Sequence, residues 1–200
     1  MPDPTPIPAK ILAELNAVQD QVSDLFGHWN FFNGLFADQE SVDILKWAFN
    51  YGAAGLIYQA VRTEIAVGIG RLLDPAVERR DTLHNLSVER MVNHVKDQRP
   101  EKAVGLEDEL KKVDIRFKPL RKWRDKHHAH RDYAVAMGID PIAQVDKEAV
   151  ESVLSALGEL MNRICSALNH PIMPYQRSHE AAATQLLAFV LPKYQASRKR

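Results

Sequence analysis

An all-α fold, an antiparallel bundle of four or five helices, is what this 200-residue sequence predicts, and three features carry the prediction. Apolar residues recur at spacings of three and four almost throughout, capping residues and prolines punctuate those stripes, and no run of alternating β-branched residues interrupts them. Helices patterned on one face bury that face against each other, which is the packing of a helix bundle.

The first helix spans about Ala9 to Phe26, where Ile11, Leu15, Val18, Val22 and Leu25 draw one stripe. The segment His28-Trp29-Asn30 and Gly34 separate it from the next, for which Asp38 or Ser41 supplies the cap. That helix reaches Tyr51, and Leu56, Ile57, Ala60, Val61, Ile65, Ile69 and Leu72 continue a long one to near Asp74-Pro75. Gly52, Gly55, Gly68 and Gly70 lie inside it, each costing about 1 kcal/mol against Ala, so tight packing is expected around them. Gly68 and Gly70 have no preceding strand and no third glycine, which excludes a dinucleotide loop. A polar turn from Val77 to Asn85 precedes a short helix capped by Ser87. After Arg99-Pro100 a longer helical stretch starts near Leu106, with Leu106, Leu110, Val113, Phe117 and Leu120 as its stripe and Pro119 either kinking it or starting a second helix. The last core helix follows Asp146 as cap, buries Val150, Val153, Leu157, Met161, Ile164 and Leu168, and ends at His170-Pro171. A peripheral helix is expected over Ser178 to Leu191, before the basic tail Arg198-Lys199-Arg200.

The organisation read from this pattern is a Pro-rich leader over residues 1–8, a helical domain over 9–170 and a C-terminal extension over 171–200. The leader holds four prolines in eight residues and lacks a basic and an apolar region, so it does not read as a secretion signal. The longest apolar stretch, Tyr51 to Val61, is interrupted by Gln59 and falls short of about 18 residues, so no membrane span is expected. One cysteine, Cys165, excludes a disulfide framework and suits a reducing compartment; a cytoplasmic protein is expected. The 26 basic and 26 acidic residues give zero net charge, which excludes holding nucleic acid through whole-molecule charge.

Locally the charge is far from balanced. Between Lys111 and Arg131 nine basic residues face two acids, Asp114 and Asp125, an excess of seven positive charges. His127, His128 and His130 sit in the same segment, and Trp123 adjoins Arg124, so cations, titratable groups and a stacking ring coincide in a way that suits a phosphodiester ligand. The competing reading is a solvated helix face. His127 and His130, three apart, also raise a metal site, but without a carboxylate or cysteine signature the pair is a weak match.

Residues 124 to 133, Arg-Asp-Lys-His-His-Ala-His-Arg-Asp-Tyr, resemble the signature of the HEPN superfamily: an Arg followed by a polar residue and then a His, with four to six residues between the Arg and the His. Arg124, Asp125 and His130 fill those places. Other Arg and His pairs satisfy the bare spacing, but Arg124 alone combines the polar follower, the basic surroundings and the closing Ala-His-x-Asp. Together with Arg-Leu-Leu-Asp at 71–74 and Asn-Leu-Ser-Val-Glu-Arg at 85–90, the layout resembles the abortive-infection U-type branch over about residues 9 to 170.

That resemblance implies a metal-independent endoribonuclease with no cofactor, acting as a homodimer whose motif helices meet in a cleft, and serving as a toxin or phage-defence effector. It also admits an antitoxin or nucleotidyltransferase partner. A non-catalytic RNA-binding or protein-interaction module is the alternative. Tyr133 stands three residues after His130, one further than in HEPN toxins silenced by tyrosine adenylylation. In the catalytic reading His130 takes the proton of a ribose 2′-hydroxyl and returns one to the leaving oxygen, since imidazole titrates near neutral pH. The planar, always charged guanidinium of Arg124 stabilises the phosphorane-like transition state. Asp125 either orients one of these side chains or is a solvated counter-ion. Lys122, Lys126 and Arg131 position phosphates, Trp123 stacks a base, and His128 either assists at the phosphate or is ordinary surface. At 100° per residue Arg124 and His130 are about 120° apart, so the helix ends early or two protomers share a site. The same projection lines Arg124 up with Leu106, Leu110, Val113, Phe117 and Leu120, pointing it at packed surface where it needs a partner such as Asp74 or Glu64, or an interface cleft.

Overall fold

The computed structural model describes residues 6–77, 84–125, 146–175 and 180–198, and these residues are almost wholly helical. The elements are α1 (Ala9–Leu35), α2 (Gln39–Leu72), α3 (Val88–Gln98), a 3-10 turn (Pro100–Lys102), α4 (Leu106–Arg124), α5 (Lys147–Ala167) and α6 (Glu180–Arg198). No strand occurs among the described residues; one isolated antiparallel bridge pairs Val77 with His84. The predicted all-α class is the class observed.

The chain forms two compact units, with boundaries inside α1 and α2. Unit 1 holds residues 1–22 and 66–173. Its core takes Leu15, Val18 and Val22 from α1, Ile69 and Leu72 from α2, Val88, Met91, Val92 and Val95 from α3, and the buried faces of α4 and α5. Helix α4 packs chiefly along α5, and α3 leans on both. The capping residues act as the sequence predicts. Ser87 Oγ accepts from Arg90 N–H at 3.4 Å, and Asp146 Oδ1 accepts from Ala149 N–H at 2.7 Å. All six apolar residues predicted for α5 are buried. At its end Asn169 adopts a left-handed backbone (φ 54°), and His170 N–H donates back to Cys165 O at 2.8 Å, which closes the helix before Pro171. The Cys165 thiol is buried, and burial pushes its pKa up to about 12.

One contact in unit 1 had no local signal. Glu14 on α1 accepts from Arg90 Nε at 2.7 Å and Arg90 Nη2 at 2.9 Å, and lies 2.7 Å from His94 Nε2. The forked hydrogen bonds from Arg90 are the main reason its carboxyl titrates at about 2, far below the usual carboxylate range.

Unit 2 holds residues 23–65 and 174–200. Leu35, Leu45, Ala54 and Ala183 form a buried cluster, with Phe31, Phe36, Ile57, Leu186 and Leu187 packed against it. Trp29, Phe32, Phe36 and Tyr58 form an aromatic cluster with centroids 5.0 to 5.5 Å apart, Trp29 stacked on Phe32 and Tyr58 edge-on to Phe36. Asp38, one of the two candidate caps of α2, fills that role, its Oδ1 accepting from Ser41 N–H at 2.8 Å.

Two helix ends differ from the sequence prediction. Helix α1 runs to Leu35 rather than Phe26, because Leu25, Trp29, Phe32 and Leu35 continue the buried stripe through His28-Trp29-Asn30, and no proline stops it. Helix α6 runs through Pro192 to Arg198 instead of ending at Leu191. Beyond the proline its side chains still make contacts, with Tyr194 edge-on to Trp47 at 5.8 Å and Lys193 over Phe189 at 4.8 Å.

Candidate active site

The site is built on the last turns of α4. Leu106, Val113, Phe117 and Leu120 are all at most 1% exposed, with Leu110 half-buried beside them, and the helix runs unbroken through Pro119. Because Arg124 falls on the same line, the helix delivers its charge to packed surface, as the projection predicts. The side chain is 24% exposed.

Three features hold the guanidinium. Arg124 Nε and Nη2 both lie 2.9 Å from Asp125 Oδ1, so the partner is the next residue rather than Asp74 or Glu64. The Phe117 ring lies 5.9 Å from Arg124 Cζ, within cation–π range. Gly70, buried in the last turn of α2, lies so close that a Cβ there would overlap Arg124 Nη1. Gly70 thus meets the expectation of close packing, against a guanidinium rather than a helix backbone. Gly55 does not: nothing lies within 4 Å of where its Cβ would be.

Asp125 thus pairs with Arg124, a contact that both roles open to it in the sequence would make. Its own backbone is still helical (φ −65°, ψ −39°), and its N–H donates to the carbonyls of Arg121 and Lys122. Helix α4 thus reaches Arg124, the first residue of the motif, with Asp125 as its cap. Lys122 is exposed. Trp123 is only 6% exposed and belongs to the buried face of α4, so its ring is not open to stack a base within this chain. Lys126, His128, His130 and Arg131 lie outside the described residues, as does His127 of the weak metal pair. Among the described residues, no cluster of three His, Cys, Asp or Glu side chains could hold a metal ion.

Part of the basic excess of α4 is already matched. Arg121 pairs with Asp114 at 2.5 Å, Lys111 with Asp108 at 3.3 Å, and Arg116 donates to Ser152 O at 3.2 Å. Basic residues in the last turn also oppose the helix dipole, as Glu107, Asp108 and Glu109 do in the first. Lys118 and Lys122 remain exposed on the side of α4 that carries Asp125. Alongside Lys118 and Lys111 opens a cleft of about 380 Å³, lined also by Leu73, Leu110 and Ile115 and by the carboxylates of Glu89 and Asp114.

The 85–90 block of the resemblance braces the same region. Asn85 N–H donates to Ala76 O at 3.1 Å and Asn85 Nδ2 to Pro75 O at 2.9 Å; Glu89 Oε2 accepts from Ala76 N–H at 2.6 Å. With Ser87 as cap and Arg90 clamped on Glu14, residues 85–90 fasten the end of α2, and so Gly70, beside α3 and α4. Their role is architectural. Gly70 and Phe117 are what the sequence leaves unassigned at the site, and the signal for Gly70 was a glycine where a helix disfavours one.

No helix among the described residues is long and apolar enough to cross a membrane. No curated protein and no solved structure matches the chain. The model of the HEPN AbiU2 family matches residues 10–185, which takes in α1 to α5, the Arg124 motif and the start of α6. The chain belongs to the HEPN AbiU2 family.

Proposed function

We propose that this protein is an endoribonuclease that cleaves RNA without a metal ion, as a homodimer acting in abortive infection in the cytoplasm. The observation that carries the reading is the Arg124 guanidinium, held at the end of a basic helix by Asp125, Phe117 and Gly70 in a chain of a HEPN family. An arginine largely buried against Phe117 and Gly70 and paired with a neighbouring carboxylate is placed at a cost that an exposed lysine would not incur, and that favours a role at a phosphate.

In this mechanism the ribose 2′-hydroxyl attacks the adjacent phosphorus. His130 removes the hydroxyl proton and a histidine returns one to the departing 5′-oxygen, leaving a 2′,3′-cyclic phosphate and a 5′-hydroxyl. Arg124 stabilises the charge that develops on the non-bridging oxygens. Asp125 Oδ1 engages both Nε and Nη2, so the phosphate competes with that carboxylate for the guanidinium. Lys122 and Lys126, with Arg131, draw the strand in through its phosphates, and Arg124 and His130 come from two protomers contributing to one site. DNA, which lacks the attacking hydroxyl, binds and stays intact.

The rival reading is a non-catalytic RNA-binding or protein-interaction module, and one observation favours it: Asp125 already neutralises Arg124 within the chain. The two separate on purified protein. Arg124→Ala and His130→Ala each abolish RNA cleavage while melting temperature stays within a few degrees of wild type, and mixing the two variants restores part of the activity through mixed dimers. Full activity in either variant, or no cleavage by wild type with RNA bound, favours the module.

A further inference from the structure

We infer that Gly70 is a positioning residue for Arg124: its missing side chain is the space that holds the guanidinium in working position. The inference rests on the reading of Arg124 as the group that meets the phosphate. Gly70 lies in the last turn of α2, a helix-interior position where alanine is the better helix former. A Cβ at residue 70 would overlap Arg124 Nη1 and come within 3.2 Å of Arg124 Cζ and 3.5 Å of Phe117 Cζ. The open space around Gly55 on the same helix shows that a helical glycine here need not mark a close approach.

The guanidinium is thus located from three sides. Asp125 Oδ1 takes Nε and Nη2, the Phe117 ring lies 5.9 Å from Cζ, and the bare backbone of Gly70 lies against Nη1. Only the last of these is a matter of empty volume, and it is the one a single methyl group removes. The atom displaced is the far end of a flexible side chain, so the protein can give way there without repacking its core. The guanidinium then leaves its place while the fold stays intact. Displacements of about 1 Å at a catalytic group can cost about a hundredfold in rate.

Gly70→Ala tests this by two independent readings. The first needs no activity: the Nε–H resonance of Arg124 in a ¹H–¹⁵N spectrum, assigned by its loss in Arg124→Lys, moves toward the position of exposed arginines and exchanges faster with water. The second is cleavage of a single-stranded RNA. There kcat falls at least tenfold, KM stays within threefold, the melting temperature is unchanged or higher, and Gly70→Ala with Arg124→Ala is no slower than Arg124→Ala alone. Should Gly70→Ala lower the melting temperature, adding Arg124→Ala restores it, because the obstruction leaves with the guanidinium. An unmoved Nε–H resonance, a melting temperature that Arg124→Ala does not restore, or cleavage within twofold of wild type when Arg124→Ala is inactive overturns the inference. Full activity in Arg124→Ala instead overturns the ribonuclease reading, and the resonance then decides alone whether Gly70 sets the place of Arg124.

Discussion

Replacing Glu14 by Gln should remove a defined, pH-dependent part of the stability of unit 1. The Glu14 carboxylate is gripped by both forks of Arg90 and by His94, and its side chain is 17% exposed. The Arg90 hydrogen bonds, aided by His94, take its pKa from an ordinary 4.5 to about 2. At 1.36 kcal/mol per pH unit that difference corresponds to roughly 3 kcal/mol, and solvent screening at a partly exposed carboxylate brings the share that reaches stability nearer 2. A group that ionises more readily when folded stabilises the native state wherever it is ionised in both states. The contribution is therefore complete above about pH 5 and fades as pH falls from about 4.5 toward 2. Urea unfolding of wild type and Glu14→Gln across pH 7 to 2.5 reads it directly. A gap of about 2 kcal/mol is expected at pH 7, flat to about pH 5 and mostly closed by the acid end. A gap that does not change with pH, or one below about 0.5 kcal/mol at pH 7, would refute the argument that the ionised pair is what matters.

Glycine-to-alanine changes should have opposite signs at two other positions. Gly55→Ala adds a methyl in open space on a helix and should raise stability by about 1 kcal/mol, whereas Gly34→Ala drives a Cβ into that of Ala183 and should lower it by about 1–3 kcal/mol; thermal melts of the two variants compare them. Cys165, buried with its thiol pKa pushed up to about 12, should stay unreactive toward a disulfide reagent at pH 8 in the native protein and react at once in urea. Rapid labelling of native protein would place the thiol outside the core.

What the sequence conveyed was local, and what it withheld was not. The caps of α2, α3 and α5, the stripe of α5 and the line that aims Arg124 inward all follow from spacings of three and four, since a helix turns those spacings into one face. The end of α1 did not follow. His28, Asn30 and Gly34 weaken helix propensity locally, and only burial of Trp29 and Phe32 in unit 2 overrides it. Trp123 looked like a stacking surface because it adjoins Arg124, yet it stands three residues after the buried Leu120 and shares the core face of α4. The Glu14–Arg90 clamp joins residues 76 apart, and the Gly70–Arg124 approach joins residues 54 apart, so no sequence spacing could announce either.

The central claim is RNA cleavage by attack of the substrate's own 2′-hydroxyl at a site holding Arg124 and His130. Its most direct measurement uses an RNA cut at one known position, a twin carrying a single 2′-deoxy sugar there, and protein kept in EDTA. The account predicts cleavage of the first RNA with a 2′,3′-cyclic phosphate and a 5′-hydroxyl at the cut, and none at that position in the twin. Equal cleavage of the two, or activity that EDTA abolishes and Mg²⁺ or Zn²⁺ restores, would contradict it.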